Sequence, residues 1–341
     1  MEAAIADKTA LNIIGGNSKA LYGRLPQGEA LNVAGHQGIT SYEATELVIS
    51  ARAGTSLEEI EYVLNKNNQM LAFEPPHFGP GATIGGTIAC NFSGPRRPYN
   101  GAARDFLLGT KIINGKAEAL RFGGEVMKNV AGYDVSRLMC GSMGTLGVLL
   151  EVSLKVLPKP INEITLVQET DATQAIRLMN QWAGMPLPIS ATAWVDGQLY
   201  VRLSGTGNGI KAASKTIGAD NLDEADEFWR QLREQQLSFF NTDKTLWRLS
   251  VPPTSDILPL DGPCLIEWGG GLRWLLSDAP ADEIFSAAAS AGGHAVLFAG
   301  GDRSQQVFQS LDAGLQLLHN NLKHSFDPHG ILNPGRMYQD F

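Results

Sequence analysis

Three observations in the sequence predict an α+β fold built in two parts. Within residues 1–160, two glycine-dense and uncharged segments, GPGATIGGTIACNFSGP (79–95) and GSMGTLG (141–147), interrupt short apolar runs, and a third glycine pair, Gly15-Gly16, follows the first of those runs. Within residues 161–300, short alternating runs carry all six tryptophans, from Trp182 to Trp274, which suggests an antiparallel sheet with helices on one side. Residues 301–341 combine an apolar helical repeat with a sharply turning tail. These three stretches are the expected domain divisions.

The elements follow in order. LNII (11–14) is a short apolar strand that runs into Gly15-Gly16. ELVISA (46–51) is another, and the segment after it opens with a capping box, Ser56 and Glu59, ahead of a helical face of Leu57, Ile60, Val63 and Leu64. DFLLGTKIINGKAEALRF (105–122) reads as a hairpin turning at Asn114-Gly115. A helix, the glycine turn at 141–147 and a long strand come next, and Pro158 and Pro160 close the region. In the second region AWVDGQLYVRLSG (193–205) is a hairpin about Asp196-Gly197. SGTGNG (204–209) reads as a loop and 222–237 as a charged amphipathic helix. LWRLSV, CLIEW, LRWLL and HAVLF are further short strands. Val307, Leu311, Leu315, Leu318 and Leu322 then mark a helix ending before Asp327-Pro328.

Charge and cysteine content remove several function classes. The net charge of −8 argues against nucleic acid or an anionic membrane as the main partner. Cys90, Cys140 and Cys264 are too far apart for a zinc or iron–sulfur pattern and read as buried free thiols. MEAAIADKTA lacks the basic start and apolar core of a signal peptide. The uncharged stretch 75–95 is broken by prolines and glycines and is no membrane helix, so a cytoplasmic protein is expected.

Glycine concentrated in three places implies main chain that must approach a ligand more closely than a Cβ allows. A long, phosphate-bearing ligand fits, and a dinucleotide is the obvious class. A nicotinamide site needs G-x-G-x-x-G between strand and helix, with an acidic residue about 20 positions on. Neither that arrangement nor a P-loop is present.

Four segments carry a different pattern. IIGGNSK (13–19), GATIGGTIACN (81–91) with ARDFLLG (103–109), KNVAGYDVSRLMCGSMGTLGVL (128–149) and DPHGILNPGR (327–336) resemble, in order and spacing, the FAD-binding domain of the vanillyl-alcohol oxidase and p-cresol methylhydroxylase family. With GPRRPYNGAARDF (94–106) and FGGEVMKNVAGYD (122–134), the sequence is similar to the E-subunit family of bacterial glycolate oxidases. The resemblance implies a two-subdomain FAD-binding domain of the p-cresol methylhydroxylase type, a small α/β cap (161–300), and a C-terminal segment returning to the flavin. It implies FAD as cofactor, held by Gly15, Gly16, Asn17, Ser18 and Lys19; by Thr83, Gly85, Gly86, Thr87 and Asn91; by Gly141, Ser142, Gly144, Thr145 and Gly147; and by Asn333 and Arg336. Arg336 is expected beside the N1–C2 edge of the flavin ring.

The departures matter as much. Asn17 stands where flavin-linked relatives place a histidine, so non-covalent FAD is expected. Met143 stands where dehydrogenase relatives have a glutamate. The histidine motifs G-D-G-N-x-H and G-E-H-G of 2-hydroxy-acid oxidising relatives are missing, so no metal site is expected. His294 reads as a core histidine, His319 and His324 as solvated, and His329 as part of a turn. Arg248 and Arg273 are the candidates for holding a substrate carboxylate. The implied function is the FAD-binding subunit of a complex oxidising glycolate, a small 2-hydroxy acid, to glyoxylate. The implied partners are a D-type flavoprotein subunit and an iron–sulfur subunit, through which it would sit peripherally at the inner membrane. An FAD-binding assembly or electron-relay subunit without its own substrate chemistry is the alternative.

Overall fold

The computed structural model describes residues 1–124 and 134–341. Most of the FGGEVMKNVAGYD motif, residues 125–133, lies outside them. The chain packs into two units. The first comprises Met1–Ser93, Ala102–Pro158 and Arg303–Phe341; the second comprises Gly94–Gly101 and Lys159–Asp302.

In the first unit, Leu11–Ile14 pairs in parallel with Glu29–Asn32. The C-terminal segment joins on the other side. The Leu11 N–H donates to the Ile331 carbonyl at 2.7 Å, and the Asn333 N–H donates to the Leu11 carbonyl at 2.9 Å. A five-stranded antiparallel sheet runs in the order Ile39–Glu43, Val48–Arg52, Val148–Lys155, Leu107–Ile113, Ala119–Gly123. The helix Leu57–Asn65 starts where expected, with the Ser56 hydroxyl accepting from the Glu59 N–H at 3.1 Å. Leu57, Ile60 and Leu64 are completely buried, in one cluster with Ile49, Phe73, Ile84, Ile88 and Ile112. That core is the floor on which the glycine segments rest.

The hairpin at 107–123 does not turn at Asn114-Gly115. Its loop spans 114–118, and the left-handed residue is Ala117 (φ 61°). The Asn114 side chain receives the Lys116 and Glu118 N–H groups, an Asx-type turn. Gly115 is small for another reason: a Cβ there would approach the Asp327 Cα to 2.6 Å.

The second unit is an eight-stranded sheet, antiparallel throughout, ordered 220–221, 162–169, 198–205, 189–195, 264–267, 272–276, 246–250, 294–299. Asp196 (φ 51°) and Gly197 (φ 78°) form the expected tight turn, with Val195 opposite Gln198. SGTGNG is not a loop. Thr206 caps a helix, Gly207–Ile217, whose small polar first turn hides the apolar face of Ile210, Ala213 and Ile217. The helix expected over 222–237 covers only Ala225–Arg233, because Glu224 and Gln235 are left-handed at its ends.

The last helix runs Ala313–Phe326 and starts later than the leucine repeat suggests. Asp312 accepts from the Gly314 and Leu315 N–H groups and sets the start there. Val307 is buried outside the helix, whereas Leu315, Leu317 and Leu318 are exposed. His294, expected in the core, is exposed at the first position of its strand. His319 is not simply solvated, since its ring packs 6.2 Å from Tyr338 and 5.9 Å from Phe341. The three cysteines are free, but of the three expected to be buried Cys140 is, while Cys90 and Cys264 are half-buried.

Candidate functional site

The site is built where the Leu11–Ile14 strand delivers the chain into Gly15-Gly16-Asn17-Ser18. Asn17 is left-handed (φ 56°), so successive N–H groups turn toward one side. Among the described residues, the main-chain N–H groups of Gly15, Gly16, Asn17 and Ser18 donate to nothing within the protein. Four adjacent unmatched donors, three of them on half-buried residues, are the marks of an anion-binding nest. Lys19 flanks them, its ammonium reaching the Ser18 hydroxyl (3.3 Å) and the His77 carbonyl (3.4 Å).

The two glycines have a packing reason as well. A Cβ at Gly16 would overlap the Gly81 carbonyl, and one at Gly15 would come within 2.6 Å of the Thr83 hydroxyl. That hydroxyl caps the helix Ile84–Cys90 by accepting from the Gly86 N–H at 3.2 Å. The helix is two-faced. Ile84, Gly85, Thr87 and Ile88 are buried, and Gly85 lies against Ala53. Gly86, Ala89 and Cys90, spaced three and four apart, form the open face.

The glycine turn supplies the facing wall. Gly141 (φ 89°), Met143 (φ 51°) and Gly144 (φ 74°) are all left-handed. Asn333 from the C-terminal segment locks this wall to the first strand: it accepts from the Ile13 N–H at 2.8 Å and donates to the Met143 carbonyl at 2.6 Å. Gly144 must lack a side chain because Asn333 Nδ2 would lie 2.7 Å from its Cβ. Behind the turn, the buried Lys323 ammonium donates to the Thr145 carbonyl (2.9 Å), the Leu332 carbonyl (2.8 Å) and Asp327 (2.8 Å). Burial pulls the Lys323 value below the ordinary lysine range, and Asp327 opposes that shift.

Between these walls lies an open cleft in two parts. The parts share Ile13, Gly15, Gly86, Ala89, Met143 and Asn333 and so run into one another. Twelve residues expected to bind the ligand line it: Gly15, Gly16, Asn17, Ser18, Lys19, Thr83, Gly85, Gly86, Gly144, Gly147, Asn333 and Arg336. Five do not. The Thr87 hydroxyl faces the core, Asn91 accepts from the Cys140 thiol (3.3 Å), and Gly141 packs on Asn91. The Ser142 and Thr145 hydroxyls bond the Met139 carbonyl (2.9 Å) and the Ser142 carbonyl (2.6 Å). The last four support the turn from behind. Sequence reasoning missed Ala89 and Cys90, which the helical spacing from Gly86 would have found.

Among the described residues the lining contains Lys19 and Arg336 and no carboxylate. Burial raises the Cys90 thiol value, and the two cations oppose it. Arg336 lines the cleft, where it was expected beside the flavin ring, and part of its guanidinium is engaged by the protein. Its guanidinium donates to the carbonyls of Ala20, Tyr22 and Arg24. Burial, with Arg303 nearby, lowers its value to about 10.

The substrate candidates in the second unit do not converge. Arg248 pairs with Trp274, and Leu249 with Arg273, so the two arginines point to opposite faces of the sheet. Arg273 is buried, with its donors on the Gly270 (2.6 Å) and Ser255 (2.9 Å) carbonyls. Arg248 lies 5.2 Å from the Trp268 ring centre. Among the described residues no three of His, Cys, Asp or Glu gather in a metal-binding group.

Comparison with known proteins agrees with this geometry. Residues 1–123 match the FAD binding domain family. A solved structure of p-cresol methylhydroxylase with substrate bound superposes with a TM-score of 0.77 at 15% identity, over 99% of this chain and 86% of that one. The fold is therefore that of the p-cresol methylhydroxylase class of flavoproteins. The glycolate oxidase subunit GlcE of Escherichia coli (strain K12) is 51% identical over 99% of this chain and 95% of its own length. The chain belongs to the GlcE family of glycolate oxidase subunits. A second relative, glycolate oxidase subunit GlcD of Bacillus subtilis (strain 168), is 42% identical over 86 residues, 25% of this chain and 18% of that protein.

The residues present fit FAD. The unmatched N–H groups of the Gly15–Ser18 loop, flanked by Lys19, suit a diphosphate. The cleft, with its apolar and small-residue walls, suits a long aromatic ligand.

Proposed function

We propose that this chain is the FAD-binding subunit of a glycolate oxidase complex, an FAD-dependent 2-hydroxy-acid oxidoreductase that converts glycolate to glyoxylate. One observation carries the reading: similarity to GlcE runs from end to end, through every segment that lines the cleft. The chain's own part is to bind and orient. The Gly15–Ser18 N–H groups hold the diphosphate, Gly86, Ala89 and Cys90 provide a flat face, and Asn333 fixes the opposing wall. Bound FAD supplies the two-electron acceptor for oxidation of the alcohol carbon. A D-type flavoprotein subunit and an iron–sulfur subunit complete the complex and carry the electrons away. Among the described residues no helix is long and apolar enough to cross a membrane, which suits a cytoplasmic subunit held at the inner membrane through its partners.

The alternative is an assembly or relay subunit without its own substrate chemistry. The divergence of Arg248 and the committed donors of Arg273 favour it. The purified chain alone is expected to show little glycolate turnover with an artificial acceptor and to gain it on addition of its partners. Anaerobic bleaching of its flavin by glycolate, without partners, would instead mean a complete pocket in this chain. A related expectation concerns attachment. Acid precipitation releases the flavin into the supernatant, because Asn17 offers no nucleophile for a covalent link. Flavin remaining on the pellet is the contrary result.

A further inference from the structure

We propose that Arg303 is a positioning residue for the diphosphate half of the cofactor, acting through the Ala20–Arg24 segment; this rests on the FAD reading above. Arg303 was not a candidate from sequence, since it lies far from every glycine segment. Its Nε donates to the Gly23 carbonyl and its Nη2 to the Ala20 carbonyl, both at 2.7 Å. Its own carbonyl accepts from the Leu25 N–H at 3.2 Å. The gripped segment is the direct continuation of the anion-binding loop. The Ala20 N–H donates to the Asn17 carbonyl and the Tyr22 N–H to the Lys19 carbonyl, both at 3.1 Å. Arg303 therefore holds the far end of two consecutive turns whose near end presents the unmatched N–H groups of Gly15–Ser18.

Two further guanidiniums complete the clamp. Arg336 donates to the Tyr22 carbonyl at 2.6 Å and to the Arg24 carbonyl, and Arg24 donates to the Ser304 carbonyl at 2.7 Å, to the Gly335 carbonyl at 3.1 Å and to that of Gln305. Among the described residues none of the three has a carboxylate within ion-pair distance. Gathering three like charges is unfavourable unless an anion compensates them. In a chain of net charge −8, the described residues lining the adjoining cleft include Lys19 and Arg336 and no acid. The diphosphate is the anionic part of FAD, and the clamped loop carries the donors suited to it.

The test separates the two halves of the cofactor. Full-length apo-protein is titrated with FAD, with ADP, which keeps the diphosphate, and with riboflavin, which lacks it. Arg303→Met is expected to weaken FAD and ADP by a common factor of about tenfold or more, and to leave riboflavin unchanged. Arg303→Lys, which keeps the charge but lacks the planar fork that reaches Gly23 and Ala20 from two separate nitrogens, is expected to fall between. Wild-type affinity for ADP in Arg303→Met overturns the inference. So does an equal loss of riboflavin and ADP, which would mean general collapse of the cleft. If Arg303→Met fails to fold, the ratio of ADP to riboflavin loss in Arg303→Lys decides on the same terms. Failure of the wild-type protein to take up FAD would instead reject the cofactor reading itself.

Discussion

Lys323→Met should lower the melting temperature by roughly 10 °C and weaken FAD binding with it. The ammonium is buried and satisfied by the Thr145 and Leu332 carbonyls and by Asp327, whose side chain is fully buried. Removing one member of such a pair leaves the other charge uncompensated, at a cost of about 3–5 kcal/mol. In a domain of this size each kcal/mol shifts the midpoint by roughly 2–4 °C. The effect reaches the site because the Thr145 carbonyl belongs to the glycine turn and the Leu332 carbonyl precedes Asn333. Asp327 also receives the Ile331 and Leu332 N–H groups, so Asn at 327 retains an acceptor without the charge. The double variant Lys323→Met, Asp327→Asn should therefore recover part of the loss. Calorimetry on the three variants gives the coupling. A single variant melting within about 2 °C of wild type would show that the pair is dispensable.

Gly86→Val should abolish measurable FAD binding while leaving the melting temperature near that of wild type. A Cβ at Gly86 meets only the Thr83 hydroxyl of its own cap, at 3.2 Å, and φ there is not left-handed. Helix propensity favours valine over glycine, so the helix survives. The added methyl groups instead enter the cleft where its two parts join. Excess volume of this kind costs about 1–3 kcal/mol even in a core that can adjust, and a rigid aromatic ligand adjusts less. Gly16→Ala is the informative contrast. Its methyl overlaps the Gly81 main chain, so stability and binding should fall together. Fluorescence titration beside thermal melts distinguishes the two. Wild-type affinity in Gly86→Val would mean that the ligand does not cover this helix face.

Much of this was legible in the sequence because it depends on neighbours along the chain. Ser56 caps its helix from three residues away, and Asp196-Gly197 closes a hairpin whose strands begin on either side. The order of the glycine segments implied a p-cresol methylhydroxylase-type domain for FAD, and the fold and family agree with it. The same local logic, applied to Ile84–Cys90, would have separated Gly86 from Thr87, since successive residues lie about 100° apart around a helix.

Other features depended on contacts between residues far apart in the chain. Asn333 joins residues 13 and 143, Lys323 reaches residue 145, and Arg303 reaches residues 20 and 23. Nothing local marks a residue as the partner of another 300 positions away. The leucine repeat at 315–318 has helical spacing, but which face meets the core is set by where the helix lands. Arg248 and Arg273 read alike beside their tryptophans, yet a strand register that only the assembled sheet defines sends them to opposite faces. By itself, then, the sequence determined the kind of domain and the main chain that lines the cleft, because glycine and cap positions act locally. Only the tertiary structure decided which side chains hold that main chain in place, because a buried ammonium or guanidinium takes its role from carbonyls delivered by distant segments.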